Sequence, residues 1–308
     1  MAQEAIQKAV DGWIILDKPY GMTSTQASNI VRRLTGAAKA GHAGTLDPLA
    51  TGVLPIALGE ATKTIPYAVA DVKQYSFQVT WGEERITDDA EGEVIMTSVH
   101  RPSQEDISAV LSQFIGLINQ RPPLFSALKV EGKRAYDLAR SGDPSTLEAL
   151  KEAMILKTRP VMVHNLILES VDSPDQASFI LTCGPGTYVR SLARDIATVL
   201  GTVAYVSRLR RVLVGKFHEK DAISLANLRE FGHKSKLHRL FLPLGAVLDD
   251  IPAVSVTMEE AVMIHHGQRI PVKMTEGSLS VVVLMLADRV LAIANNCEGY
   301  FYPKRVFK

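Results

Sequence analysis

The spacing of apolar positions divides the chain into recognisable elements. Val72 to Trp81 alternate cleanly, with Tyr75, Phe77, Val79 and Trp81 on one face and Gln74, Ser76, Gln78 and Thr80 on the other, the period of a half-buried strand. Trp13 to Leu16 form a short apolar run ending in Asp17-Lys18-Pro19-Tyr20-Gly21, which predicts a strand entering a turn. Helical spacing follows at Ala27, Ile30, Val31 and Leu34, with Ser24 placed to cap and Gly36 to terminate. Ser103 with Asp106 predicts a second helix start, whose apolar face is Ile107, Val110, Leu111, Phe114 and Ile115 and whose end is Gly116. Val161 to Leu168 and Ser178 to Cys183 predict strands. The strongest helix lies between Gly186 and Gly201, striped by Val189, Leu192, Ala193, Ile196, Ala197 and Leu200, with Arg190 and Arg194 off the stripe.

Other stretches break these rhythms. Residues 41 to 52 hold three glycines and a proline and predict irregular backbone. Gly82 to Gly92 is an acidic loop before a strand at Glu93 to Met96. Residues 119–158, rich in Pro, Lys, Arg, Ser and Gly, predict an excursion from the core with one short helical patch near Tyr136 to Arg140. Beyond about residue 245 a Thr257–Glu260 capping box, a helix end at Gly267 and a hairpin around Asp288 predict a small β-rich second domain.

Composition narrows the class. With 308 residues, 46% hydrophobic and 22% charged, the chain reads as a globular protein of about two domains. The apolar run Leu279 to Leu286 is far shorter than the roughly 20 residues of a membrane helix. Residues 1–10 lack the apolar core of a signal peptide. Two distant cysteines, Cys183 and Cys297, argue against a disulfide framework or a cysteine-rich zinc site and fit a reducing cytoplasm. A net charge of +1 does not announce a polyanion partner. Any RNA-binding face therefore rests on local clusters: Arg208, Arg210, Arg211 and Lys216; Lys129, Lys133, Arg134 and Arg140; Lys234, Lys236, His238 and Arg239. Each also fits an ordinary solvated surface.

No phosphate loop, dinucleotide fingerprint or metal-spaced His or Cys pair is present, so neither cofactor nor metal is expected. The 41–52 loop sets one imidazole, His42, and one carboxylate, Asp47, among glycines that let backbone approach a ligand. Asp47-Pro48 equally suits a helix N-cap. Gly184-Pro185-Gly186-Thr187-Tyr188-Val189-Arg190 leads a turn into a helix with a cation in its first turn, where the helix dipole gives it nothing. That position suggests a carboxylate or phosphate partner, with a solvent-facing arginine as the alternative. Tyr75, by pattern alone, is a core residue.

Together these segments resemble the TruB family of tRNA pseudouridine-55 synthases. The resemblance rests on Asp17-Lys18-Pro19 with Gly21, Thr23 and Ser24; Gly41 through Gly52; Lys73-Gln74-Tyr75; Asp89 with Gly92; Pro122-Pro123, Ser126-Ala127-Leu128-Lys129 and Gly132; Gly186 through Arg190; and Arg208 through Arg211, in the family's order. It implies an α+β catalytic domain over 1–245, built on a large mixed, mostly antiparallel sheet with flanking helices and a flap inserted at about 121–152. A small β-rich RNA-binding domain, similar to a PUA domain, would span 246–308. It implies isomerisation of uridine 55 in the TΨC arm of tRNA with Asp47 as the catalytic carboxylate, Arg190 paired with it and Tyr75 at the reacting nucleotide. RNA contacts are expected at His42, Asp89, Lys129, Tyr188, Arg208, Leu209, Arg210 and Arg211. A monomer acting in the cytoplasm on tRNA, with no guide RNA, protein partner or membrane, is the expectation. The sequence departs from the family where Arg85-Ile86 replaces a Thr-Asp pair and where Pro185 stands in place of a frequent lysine. Three other readings compete: an RNA-binding chaperone with a vestigial site, a guide-RNA-dependent member of the superfamily, and a hydrolase with an aspartate nucleophile.

Overall fold

The computed structural model describes residues 10–69, 72–126, 128–130, 132–140, 143–231, 238–272 and 279–308. The expectations at Ala127, Lys234 and Lys236, and for residues 1–9, lie outside the described residues.

The elements follow the apolar pattern. In chain order they are β1 (Gly12–Lys18), α1 (Ser24–Thr35), β2 (Ala40–His42), β3 (Thr51–Leu58), α2 (Ile65–Val69), β4 (Lys73–Trp81), β5 (Glu83–Arg85), β6 (Val94–Thr97), α3 (Gln104–Val110), β7 (Gly116–Gln120), β8 (Lys129–Val130), β9 (Lys133–Arg134), α4 (Ala135–Ala139), α5 (Pro144–Leu156), β10 (Arg159–Ser173), β11 (Gln176–Cys183), α6 (Val189–Val199), β12 (Ala204–Val214), β13 (Phe217–His218), β14 (Ile223–Ser224), α7 (Leu225–Glu230), β15 (Ala253–Ser255), α8 (Met258–His265), β16 (Ile270–Pro271), β17 (Val281–Leu286), β18 (Arg289–Cys297) and β19 (Tyr300–Val306).

The protein is α+β. A ten-stranded sheet runs β14-β1-β3-β12-β4-β11-β10-β7, with β13 on β12 and β2 on β3. It is mixed: β1–β14 and β3–β12 pair in parallel, and the remaining pairs are antiparallel. The alternation predicted for β4 holds residue by residue, with Tyr75, Phe77, Val79 and Trp81 buried and Gln74, Ser76, Gln78 and Thr80 partly open. Phe77 stacks on Phe179 of β11 at 5.2 Å and Trp81 meets Phe179 edge-on at 6.4 Å. Such aromatic pairs each add about 0.5–1.5 kcal/mol beyond burial. Helix α6 lays its apolar stripe on this core.

Several boundaries differ from the sequence reading. The cap of α1 is Thr23, which forms a reciprocal box with Gln26, because the Ser24 hydroxyl is engaged by the Leu46 backbone instead. The helix from Ser103 tightens into a 3₁₀ turn over Leu111–Phe114, and Gly116 opens β7. The flap holds a second helix, α5, capped by Asp143 with Pro144 in its first turn, so one short helical patch understates it. A small core of Ala135, Ala139, Leu150 and Met154 joins α4 to α5.

The C-terminal β-rich part is a five-stranded sheet, β15-β17-β18-β19-β16, with α8 capped by the expected Thr257–Glu260 box. Ile264, Val282, Leu284, Ala292 and Phe301 form its own core. A cavity of about 880 Å³ lies between the two sheets and is lined by Ile15, Phe217, Leu248 and Val283 among others; of the candidate residues only Lys216 and Arg239, from the basic clusters, border it.

Candidate active site

The 43–50 loop leaves β2 and returns into β3, and the sheet holds both its ends. Gly52, at φ 99°, meets β12 where Arg211 pairs with it, and a Cβ there would lie 2.2 Å from the Arg211 carbonyl oxygen. Only glycine fits that approach. Gly52→Ala is expected to cost roughly 3 kcal/mol or more, read as a lower denaturation midpoint. An unchanged midpoint would mean that the β3–β12 junction does not fix the loop.

Inside the loop, the Ser24 hydroxyl donates to the Leu46 carbonyl and accepts from the Leu46 N–H. The fully buried Lys18 ammonium donates to the carbonyls of Pro19, Met22 and Pro48, at 2.8, 2.6 and 3.3 Å. Burial pushes the Lys18 amine down to about 8, against the opposing pull of Asp47 and Glu91. Asp47 is thus flanked by fixed backbone on both sides while its side chain stays 34% exposed.

Arg190, in the first turn of α6, reaches Asp47 from the opposite side. Its Nε lies 2.9 Å from Asp47 Oδ2 and 3.5 Å from Asp89 Oδ2. The Nε–H is not aligned for a hydrogen bond, so the contact is chiefly one of charge. Its terminal nitrogens donate to the carbonyls of Thr87 (2.7 Å) and Phe125 (3.0 Å). Burial works to lower the guanidinium's pKa, and Asp47, Asp89 and Asp88 more than offset it, leaving it raised. The sequence placed Arg190 and Arg194 off the apolar stripe of α6 and offered Arg190 a carboxylate partner; both pack against the 87–89 turn and the base of the flap, each beside a carboxylate.

Tyr75 is buried on β4, directly across from Arg211 on β12, whose charge acts on its phenol. Burial raises the phenol's pKa. His42 ends β2, and its Nδ1 has no partner among the described residues. Burial, then the nearby Arg211 charge, lower its pKa, so the imidazole is neutral at physiological pH.

Two of the residues expected to contact RNA are buried in this structure. Arg211 is 1% exposed and donates to the carbonyls of Val53 (2.8 Å) and Gly44 (3.0 Å), stapling both ends of the 43–50 loop. Asp89 is buried, accepts from the Thr87 hydroxyl and the Glu91 N–H, and faces Arg190. Neither presents a surface to a phosphate. Arg210 is engaged by Asp17 and Glu219, and Lys216 by Asp249. Arg208 and Lys129 are exposed as expected. Leu209 is buried at the edge of a groove of about 540 Å³ shared with Tyr20, Leu49, Thr51 and Arg208. Tyr188 caps α6, its backbone N–H and carbonyl both held by the Gln120 side chain and its ring 5.4 Å from the Arg159 guanidinium.

The sequence reading missed Lys18, Gln120 and the Asp88–Arg194 ion pair at 2.9 Å. Arg194 follows Arg190 by four residues, one helical turn, and that spacing was the available signal. Among the described residues no group of three or more His, Cys, Asp or Glu side chains is arranged to hold a metal ion, and no helix is long and apolar enough to cross a membrane.

The chain as a whole is similar to known proteins. Residues 32–189 match the family profile described as TruB family pseudouridylate synthase (N terminal domain), and residues 190–249 match the tRNA pseudouridylate synthase B C-terminal domain. The tRNA pseudouridine synthase B of Bradyrhizobium diazoefficiens is 48% identical over 308 residues, covering 98% of this chain and 87% of that protein. The protein of the same name from Caulobacter sp. strain K31 is 44% identical across 100% of this chain and 99% of its own. The chain belongs to the TruB family of pseudouridylate synthases. In structure, a chain of the archaeal box H/ACA sRNP Nop10-Cbf5 complex superposes with a TM-score of 0.70 at 22% identity, covering 96% of this chain and 86% of that one. The TruB-family chain thus has the pseudouridine-synthase fold, with Tyr75 on β4, Arg190 on α6 and Asp47 on the loop between β2 and β3.

Proposed function

We propose that this protein isomerises uridine 55 in the TΨC arm of tRNA to pseudouridine, with Asp47 acting on a nucleotide flipped out of its stack. In the reaction the N1–C1′ bond breaks, the uracil turns, and a C5–C1′ bond forms; C5 gives up its hydrogen and N1 gains one. Atoms balance without a co-reactant. The observation that carries this reading is the Asp47–Arg190 contact at 2.9 Å, in which a buried guanidinium lies against a carboxylate that remains 34% exposed. Such a carboxylate can attack a carbon of the nucleotide or accept a proton from the sugar. Tyr75, within electrostatic reach of Asp47, is suited to moving the C5 proton.

A base stacked in a folded arm must be extruded to meet this site. His42 offers a neutral ring that can stack on displaced bases, and Lys129, Arg208 and the exposed Lys133 and Arg140 of the flap supply positive charge for the backbone. We take residues 1–245 as the catalytic domain and 246–308 as an RNA-binding domain, in a monomer that acts on tRNA in the cytoplasm without a guide or partner. The reading is tested by tritium release from [5-³H]uridine-labelled tRNA transcript with the purified protein alone. Release supports it; a protein that binds tRNA and releases none acts as a chaperone or depends on a missing partner. His42→Ala is expected to slow release by about tenfold, far less than loss of the carboxylate, because it alters positioning and not bond making. Equal losses in the two variants would give His42 a chemical role.

A further inference from the structure

We propose that Arg194 and Asp88 form a second arginine–carboxylate pair, outside the first, which holds Arg190 in line with Asp47. This rests on the function proposed above and makes both of them positioning residues. The geometry carries it. Arg190 is gripped by the 87–89 turn through the Thr87 carbonyl (2.7 Å) and the Asp89 carboxylate (3.5 Å), so its aim depends on where that turn sits. Between those two contacts lies Asp88, whose carboxylate faces the other way and accepts from Arg194 Nη1 at 2.9 Å. Two arginines one helical turn apart on α6 therefore hold three consecutive residues of the turn.

The turn needs holding. Asp88 has φ 59°, a left-handed conformation that costs a residue with a Cβ and persists only where its surroundings enforce it. The backbone supplies part of that, through Asp88 N–H to the Arg85 carbonyl and Val206 N–H to the Asp88 carbonyl. The Arg194 pair supplies the rest. Arg194 has further contacts: its Nε and Nη2 donate to Asp195 Oδ1 at 3.2 and 3.1 Å, and its Nη2 donates to the Arg121 carbonyl at 2.9 Å, beside the Ser191 hydroxyl on the same oxygen at 2.8 Å. Arg121 begins the flap, and the Phe125 carbonyl, four residues on, accepts from Arg190. Flap base, turn and catalytic pair thus meet on one face of α6.

The charged groups acting on Asp88 are Arg194, Arg190 and Arg121 in its favour and Glu84 against it. Burial dominates and pushes its carboxyl up to about 6. As pH falls through that value Asp88 becomes neutral, and Arg194 loses the charged partner that ties it to the 87–89 turn, keeping Asp195 of its own helix at 3.1 Å.

The test compares single-turnover tritium release by wild type, Asp88→Asn and Asp88→Gly. Glycine adopts φ 59° freely, so a loss in that variant does not come from backbone strain. Both are expected to be about tenfold or more slower at about pH 7.5, with tRNA affinity within about twofold of wild type. The ratio of wild-type to Asp88→Asn rates should shrink toward one as pH falls through about 6, because a protonated Asp88 is no better a charge partner than the amide. Taking the ratio cancels the titration of groups common to both proteins. Equal rates at about pH 7.5, a ratio that does not change with pH, or a loss explained by weaker tRNA binding would overturn the inference while leaving the proposed function standing. A wild-type protein without activity on tRNA would overturn both.

Discussion

Asp47→Asn is expected to lower the single-turnover rate by at least about 10⁴-fold while tRNA binding and folding are retained. The asparagine amide is nearly isosteric, so the loop held by Ser24, Lys18 and Arg211 has no reason to move. Arg190 does not become an uncompensated buried cation, because Asp89 and Asp88 remain as its carboxylate neighbours. What disappears is the negative oxygen that attacks the nucleotide or takes a proton, and an amide does neither. Fluorescence-detected tRNA binding alongside the rate separates the two effects. A rate within about tenfold of wild type would move the chemistry to another residue, with the exposed Glu91, which feels the charges of both Asp47 and Arg190, the first candidate, since Asp88 and Asp89 are both buried.

Arg190→Lys is expected to cost about 10²-fold or more in the same rate. The guanidinium makes charge contact with Asp47 and Asp89 through Nε while its two terminal nitrogens hold the Thr87 and Phe125 carbonyls. An ammonium cannot span that fork. Whichever partners it abandons become unsatisfied in a buried site, at about 1–3 kcal/mol each, so a lower Tm should accompany the lost rate. The rate should fall further than the affinity for tRNA, since the guanidinium is buried and faces the carboxylate. Near-normal turnover in a folded Arg190→Lys protein would mean that the ion pair is a strut and not part of the chemistry.

The elements set by periodicity were legible in the sequence. β4 and the stripe of α6 are local patterns, and each was readable because burial on one face dictates residue type at a fixed period. Arg190 was legible as a misplaced cation, since nothing in the first turn of a helix favours it. Asp47 in isolation was ambiguous, because Asp-Pro suits a helix cap as well as a catalytic carboxylate; the surrounding twelve residues, taken as a family motif, favoured the catalytic reading.

What escaped depended on distance along the chain. Arg208, Leu209, Arg210 and Arg211 look like one basic run, yet strand alternation and a register shift send Arg208 to solvent, Arg210 to Asp17 and Glu219, and Arg211 into the core beside Tyr75. Only pairing with β3 and β4 decides which way each arginine points. The Asp88-Asp89 pair read as part of an acidic loop, and its burial comes from arginines about a hundred residues later, joined to it by tertiary packing alone. Helix α5 is a different failure. Its Asp143 cap and Pro144 were visible signals, outweighed by the polar composition of the surrounding stretch.

The most direct measurement is to incubate the purified protein alone with unmodified tRNA transcript and map pseudouridine by carbodiimide adduct formation and primer extension. The expected result is a single strong stop reporting position 55, absent when Asp47→Asn replaces the wild type. A transcript that is bound but carries no pseudouridine, or carries it at other uridines and not at 55, would contradict the proposed function.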